Sequence, residues 1–186
     1  MRFMIPSLLA VSSLLPLAAA DTYALDPVHS AALFSVVHAG VSNTHGRFNG
    51  TSGTLTWDAT DPSKSAISIA IKTESVDTGE AKRDQHLRSA DFFNTKQFPE
   101  LTFVSKTFTK VDDTHFTVTG DLTLTGTTKP VTATVTKIGE GKDPWGGYRI
   151  GFETSFVLKR TDFGMKTFPG VSDDVAVTFA LEGVKK

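Results

Sequence analysis

Apolar and polar residues alternate with a period of two along most of this chain, and that period leaves few folds open. Phe116, Val118, Gly120, Leu122 and Leu124 alternate with Thr117, Thr119, Asp121, Thr123 and Thr125. Ile67, Ile69 and Ile71 alternate with Ser68, Ala70 and Lys72, and Val131, Ala133 and Val135 with Thr132, Thr134 and Thr136. Phe34, Val36 and His38 share one face, as do Leu55 and Trp57, and Leu101 and Phe103. Ile150, Phe152, Thr154, Phe156 and Leu158 form another, and Val175, Val177, Phe179 and Leu181 the last. Successive side chains of a strand point to opposite faces, so each run is a strand with one dry face and one wet one. Phe (14 residues) and Thr are both frequent, and both suit a pleated, half-buried surface.

Turn residues punctuate the runs. Gly126–Pro130 and Gly139–Gly147 read as hairpin connections, with further turns at Asp61-Pro62-Ser63 and Asp112-Asp113. The spacing gives about eight short strands, which suits an all-β antiparallel sandwich or barrel. Thr faces water on these strands, the reverse of an outer-membrane barrel, whose outward face is apolar. One segment, 79–98, is charged, lacks alternation and ends before Pro99. It reads as a helical insertion, with Ser89 or Asp91 placed to cap a second short helix carrying Phe92 and Phe93.

The first twenty residues differ from the rest. Arg2 is their only charge, a largely apolar run of about 12 residues follows, and Ala18-Ala19-Ala20 closes it. This is the pattern of a cleaved secretory signal (1–20), leaving a single domain over 21–186. No later segment is apolar enough over a sufficient length to span a membrane as a helix.

Charge and motifs narrow the chemistry. Lys+Arg 19 against Asp+Glu 20 gives a formal charge of −1, which argues against a bulk electrostatic grip on nucleic acid. The chain has no Cys, so it offers no disulfide, thiolate metal site or cysteine nucleophile. His29, His38 and His45 could serve as zinc ligands, but their spacing matches no compact ligand motif. No G-x-S-x-G turn presents a serine nucleophile beside His29-Ser30. Gly139-Glu140-Gly141 begins like a dinucleotide fingerprint but opens no helix. Asn49-Gly50-Thr51 is a formal glycosylation acceptor and equally a turn.

Taken in order, the polar landmarks resemble one family. Tyr23-x-Leu25-Asp26-Pro27-x-His29-Ser30 opens the mature chain, and Phe34-x-Val36-x-His38 leads to Gly46-Arg47-Phe48. Ser75-Val76-Asp77-Thr78-Gly79 precedes Arg83-Asp84-x-His86-Leu87-Arg88-Ser89-x-Asp91-Phe92-Phe93. Gly120-Asp121-Leu122-Thr123-x-x-Gly126-x-Thr128-Lys129-Pro130-Val131 and Arg160-x-Asp162-Phe163-Gly164 follow. Each piece is weak alone, but they are colinear over essentially the whole mature chain. The set resembles the YceI-like family of exported, lipocalin-like polyisoprenoid-binding proteins. The resemblance implies an eight-stranded antiparallel, lipocalin-like barrel with a helical insertion around 79–98. It implies a tunnel-like cavity for a long isoprenoid chain, isoprenoid quinone or similar amphiphile, and a periplasmic or secreted location. The lipocalin G-x-W is absent, so the likeness to true lipocalins is one of architecture.

The inward faces then name the expected cavity wall: Phe34, Val36, Phe48, Leu55, Trp57, Ile67, Ile69, Ile71, Phe92, Phe93, Leu101, Phe103, Phe116, Val118, Leu122, Phe152, Phe156, Phe163, Val177 and Phe179. Such a lining binds by burial, ~0.8 kcal/mol per CH₂, and needs neither cofactor nor metal. His38, Arg47, His86, Arg88 and Arg160 are the expected polar groups at its mouth, where they would orient a head group. Two other readings stay open: a histidine-metal or quinone-linked redox protein, and an interaction or stress-response module whose barrel is packed solid. The sequence does not set the oligomeric state, a homodimer being one option.

Overall fold

The computed structural model describes residues 20–186. The signal-segment reading of residues 1–20 lies outside them, Ala20 excepted. The strands are β1 (Asp21–Leu25), β2 (Ala31–His38), β3 (Ser42–Phe48), β4 (Thr51–Trp57), β5 (Ala66–Lys72), β6 (Val76–Asp77), β7 (Glu100–Lys110), β8 (His115–Leu124), β9 (Thr127–Lys142), β10 (Tyr148–Lys159) and β11 (Val171–Lys185). All paired neighbours are antiparallel, and β11 pairs with both β1 and β2, which closes the sheet. β1 with β2, and β3 with β4, each act as one bent stave. The result is a closed eight-stranded antiparallel barrel in meander order.

The bends keep their backbone groups paired. Between β1 and β2, the Asp26 N–H donates to the Glu182 carbonyl (2.8 Å), and the Glu182 N–H donates to Ser30 Oγ (3.1 Å). Between β3 and β4, the Gly50 N–H donates to Ser75 Oγ (2.9 Å) and the Lys72 N–H to the Gly50 carbonyl (2.8 Å). Asn49-Gly50 is therefore a strand bend and not a hairpin turn. A side chain at Gly50 would crowd Lys72 Cβ at 3.0 Å.

Alternation is cleanest in β8, where every second residue is buried. Its hairpin to β9 is tighter than the sequence suggests. The turn is Thr125-Gly126 alone, both at positive φ (49° and 75°), as a two-residue hairpin requires. Thr127–Pro130 already belong to β9. Likewise Gly139–Lys142 lie in β9, and the β9–β10 turn is confined to 143–147.

In the insertion only α1 (Ala81–Arg88) is helical. Glu80 caps its start, accepting from the Lys82 N–H, and Asp84 fixes its first turns by accepting from Thr78 N–H (2.9 Å) and the Thr78 hydroxyl (2.5 Å). Ser89 ends this helix and does not begin a second one, so Phe92 and Phe93 sit on successive turns. Short 3₁₀ turns cover Pro62–Lys64, Thr73–Ser75 and Arg160–Phe163.

Candidate binding cavity

The two ends of the barrel are packed differently. At the end where β1, β4 and the β7–β8 turn meet, Tyr23, Leu55, Trp57, Phe108, Phe116, Ile150 and Phe152 are all buried. Trp57, Phe116 and Phe152 form an edge-to-face cluster there, with centroids 5.1 Å (Trp57–Phe116), 5.2 Å (Trp57–Phe152) and 6.5 Å (Phe116–Phe152) apart. Toward the other end the inward residues Phe34, Val36, Val131, Val135, Phe156, Leu158, Val175 and Val177 are only half buried, because they face a void.

That void is a cavity of about 450 Å³. It falls in the ~300–1,000 Å³ range of small-molecule sites. Phe152, Phe108 and Leu55 lie at its floor. Along β8 its wall runs from Val118 to Leu124, ~20 Å at ~3.4 Å per residue, so it is longer than it is wide.

The expected wall residues fall into two groups. Phe34, Val36, Phe48, Leu55, Ile67, Ile69, Ile71, Phe92, Phe93, Leu101, Phe103, Val118, Leu122, Phe152, Phe156, Val177 and Phe179 all line the cavity. Trp57, Phe116 and Phe163 do not. Trp57 and Phe116 share a face with wall residues but lie beyond the Phe152 floor. Phe163 is buried in the 3₁₀ turn after β10, where its carbonyl accepts from the Thr125 hydroxyl.

The polar candidates divide in the same way. His38, His86 and Arg160 border the cavity, together with Arg83, Thr44 and Thr78. Arg47 points to solvent across from Asp77 on β6. Arg88 turns away to the backbone, donating to the carbonyls of Glu74 and Val76 (2.8 Å each) and pairing with Glu74 at 3.2 Å. Arg160 is 4% exposed, and its hydrogen bonds go to backbone: the carbonyls of Ser172 (2.9 Å), Lys166 and Val171 (3.3 Å). Its role in the structure is to brace the segment between β10 and β11.

That segment reaches over the mouth. Gly164 and Gly170, at φ 81° and 76°, bound it. Phe168 at its tip stands 5.4 Å from the His86 ring and 5.7 Å from Phe92, and His86 and Phe92 are 5.0 Å apart. Asp91 joins the two sides, 3.3 Å from His86 Nε2 and 3.4 Å from Lys166 Nζ. His86, then Lys166, hold its carboxyl below the usual range.

Several cavity-lining positions escape a period-two reading. Phe108 lies on the opposite parity to Leu101 and Phe103, and it turns inward because β7 slips register between Ser105 and Thr107. Phe168 and Met165 come from a loop, where periodicity carries no signal. The histidines do not gather. His29 sits at the β1–β2 bend, His38 ends β2, and His45 lies on β3 opposite Ser35. His29 instead groups with Asp26 and Glu182 at the packed end. Arg149 occupies that group, 2.7 Å from Asp26 and from Asp143 and paired also with Glu182.

A closed antiparallel barrel with an apolar cavity shut at one end and rimmed by polar groups at the other is a lipocalin-like barrel. The chain belongs to the YceI-like family, whose domain model matches residues 23–183. Protein YceI of Escherichia coli O157:H7 is 45% identical over 159 residues, 85% of this chain and 83% of that one. The crystal structure of Burkholderia cenocepacia BcnA superposes with a TM-score of 0.77 at 25% identity, over 85% of this chain and 98% of that one. A domain from Saccharophagus degradans, described as polyisoprenoid binding, shares the fold at TM-score 0.69 and 18% identity, over 88% of this chain and 98% of that one.

Proposed function

We propose that this protein is an exported, non-enzymatic carrier of a long apolar molecule, a polyisoprenoid, an isoprenoid quinone or a similar amphiphile. One observation carries the reading: an elongated cavity of about 450 Å³ whose wall is mostly Phe, Ile, Leu and Val, with His38, Arg83 and His86 on its border. A chain buried there gains ~0.8 kcal/mol per CH₂ without any directional contact. His38, Arg83 and His86, which border the cavity, are suited to hold a polar head in the water. The Saccharophagus domain, named for polyisoprenoid binding, supports the ligand class. The apolar start of the chain and its Ala18-Ala19-Ala20 end support export to the periplasm or beyond. A void of this size weighs against a barrel packed solid.

Mass spectrometry of organic extracts from the purified protein tests the reading. A stoichiometric isoprenoid or quinone that disappears from the extract after denaturing washes is the expected result. Protein that carries no lipid, and that takes up none from an added quinone series at micromolar concentration, contradicts it.

A further inference from the structure

β9 and β10 separate halfway up the barrel. Their ladder runs from Tyr148↔Lys142 to Thr154↔Val135 and stops. Beyond it, Thr127–Thr134 of β9 pair with β8 alone, and Ser155–Lys159 of β10 pair with β11 alone. Pro130 lies in the unpaired stretch of β9 and has no N–H to donate, so a ladder there would be incomplete.

The cavity reaches the surface at this fork. Its border includes Glu153, an exposed residue that points out of the barrel, as well as Thr154. A second, outer hollow is bordered by the same Glu153 and Thr154 together with Thr134. The inner cavity and the outer hollow thus share Glu153 and Thr154 as a common border. The gap is framed at both ends by threonine hydroxyls. Thr154 Oγ1 donates to the Thr134 carbonyl (2.7 Å) at the fork, and Thr125 Oγ1 donates to the Phe163 carbonyl at the far end. Single bonds of this kind are worth ~1 kcal/mol each, far less than the ladder they replace. The lip carries one exposed apolar side chain, Val157, outward on β10 and 63% exposed.

We propose that the apolar tail of the guest enters and leaves through this side window between β9 and β10. The proposal rests on the carrier reading above. Among the described residues that border the outer hollow, Glu153 is the only charged one. The passage therefore suits an uncharged chain, while the cationic groups at the open end suit the head.

The chain has no Cys, so a cross-link can be placed cleanly. In Thr132→Cys/Val157→Cys, both side chains lie outside the cavity, one on each side of the gap. A bis-maleimide joins them. Asp91→Cys/Lys166→Cys, joined in the same way, closes the mouth instead. Decyl-ubiquinone is the probe, followed by tryptophan quenching in stopped flow and at equilibrium. The window cross-link should slow loading and release together by about tenfold or more and leave Kd unchanged, because a gate acts on both rates and Kd is their ratio. Thr154→Val, which removes the latch, should speed both. Slowing by the mouth cross-link alone, with the window cross-link and Thr154→Val at wild-type rates, overturns the side window and leaves the carrier reading intact. Absence of saturable quenching in the wild type removes the carrier reading, and the window with it.

Discussion

The rings of Phe152 and Trp57 stand 5.2 Å apart, and the limit between cavity and packed core passes between them. Both point inward from neighbouring regions of the barrel. Phe152 borders the cavity, whereas Trp57, at 4% exposure, lies wholly behind it. The depth of the cavity is set by that contact.

Removing the floor should lengthen the site. Phe152→Ala is expected to cost about 3–5 kcal/mol in urea unfolding and to shift the preferred guest toward longer chains. Phe116→Ala removes a ring behind the floor. It should cost stability in the same range yet leave the chain-length preference where it was. Equilibrium unfolding beside a titration series separates the two effects.

Arg160 should control one loop and not the barrel. Its guanidinium satisfies three carbonyls around the segment 164–172, and among the described residues no carboxylate is bonded to it. Arg160→Met should therefore raise amide hydrogen exchange in 164–172 while leaving β8 protected. Arg160→Lys should resemble it, since an ammonium cannot reproduce the planar fork. Equal deprotection throughout the barrel would show that Arg160 is global in its effect.

Acid should loosen the end of the barrel that Arg149 ties together. His29 and Arg149 hold the Asp26 carboxyl well below its ordinary range. A carboxylate with a depressed folded pKa gives stability that is fully present above its unfolded value, ~3.9, and lost as pH falls toward the folded one. Asp112 adds to the same window, pulled down to about 2 by the amides of Thr114 and His115. Stability should thus be insensitive to these groups at neutral pH and decline below about pH 4. Asp26→Asn should flatten that decline, measured by denaturant unfolding at a series of pH values. An unchanged acid slope would remove the pair from this role.

The β8–β9 turn should tolerate glycine alone at its second position. Gly126 has φ 75°, and a Cβ there would also press on the Phe98 ring at 2.6 Å. Gly126→Ala is expected to lower stability by more than ~1 kcal/mol. Phe98→Leu, which relieves the steric part, should recover a portion in the double variant. Full additivity would show that backbone strain acts alone.

Period-two reading located most of the wall because an inward face is a local property. Phe34, Val36, Ile67, Ile69, Ile71, Val118 and Leu122 could be assigned from neighbours two residues away. Depth along the barrel is not local, so Trp57 and Leu55 look alike in sequence, yet Leu55 lies at the floor and Trp57 behind it. The bulge in β7 hides Phe108, since one extra residue reverses parity without any mark in the composition. Charged residues were legible only in part. Arg47, Arg88 and Arg160 each carry the same group, and what separates them is whether backbone carbonyls, solvent or the cavity lies at the end of the side chain. The fold itself was readable, as regular alternation with turn residues leaves a meander few ways to bury one face. The Asp26–Arg149 link spans 123 positions and depends on how the barrel closes.

Isothermal titration of the protein with a homologous series of alkyl-tailed quinones, identical in head group, tests the central claim most directly. Binding should strengthen by ~0.8 kcal/mol for each added CH₂, with a negative heat-capacity change, until the tail reaches Phe152, and then level off. Affinity that is absent, or that does not change with tail length, would contradict the account of this barrel as a container for an apolar chain.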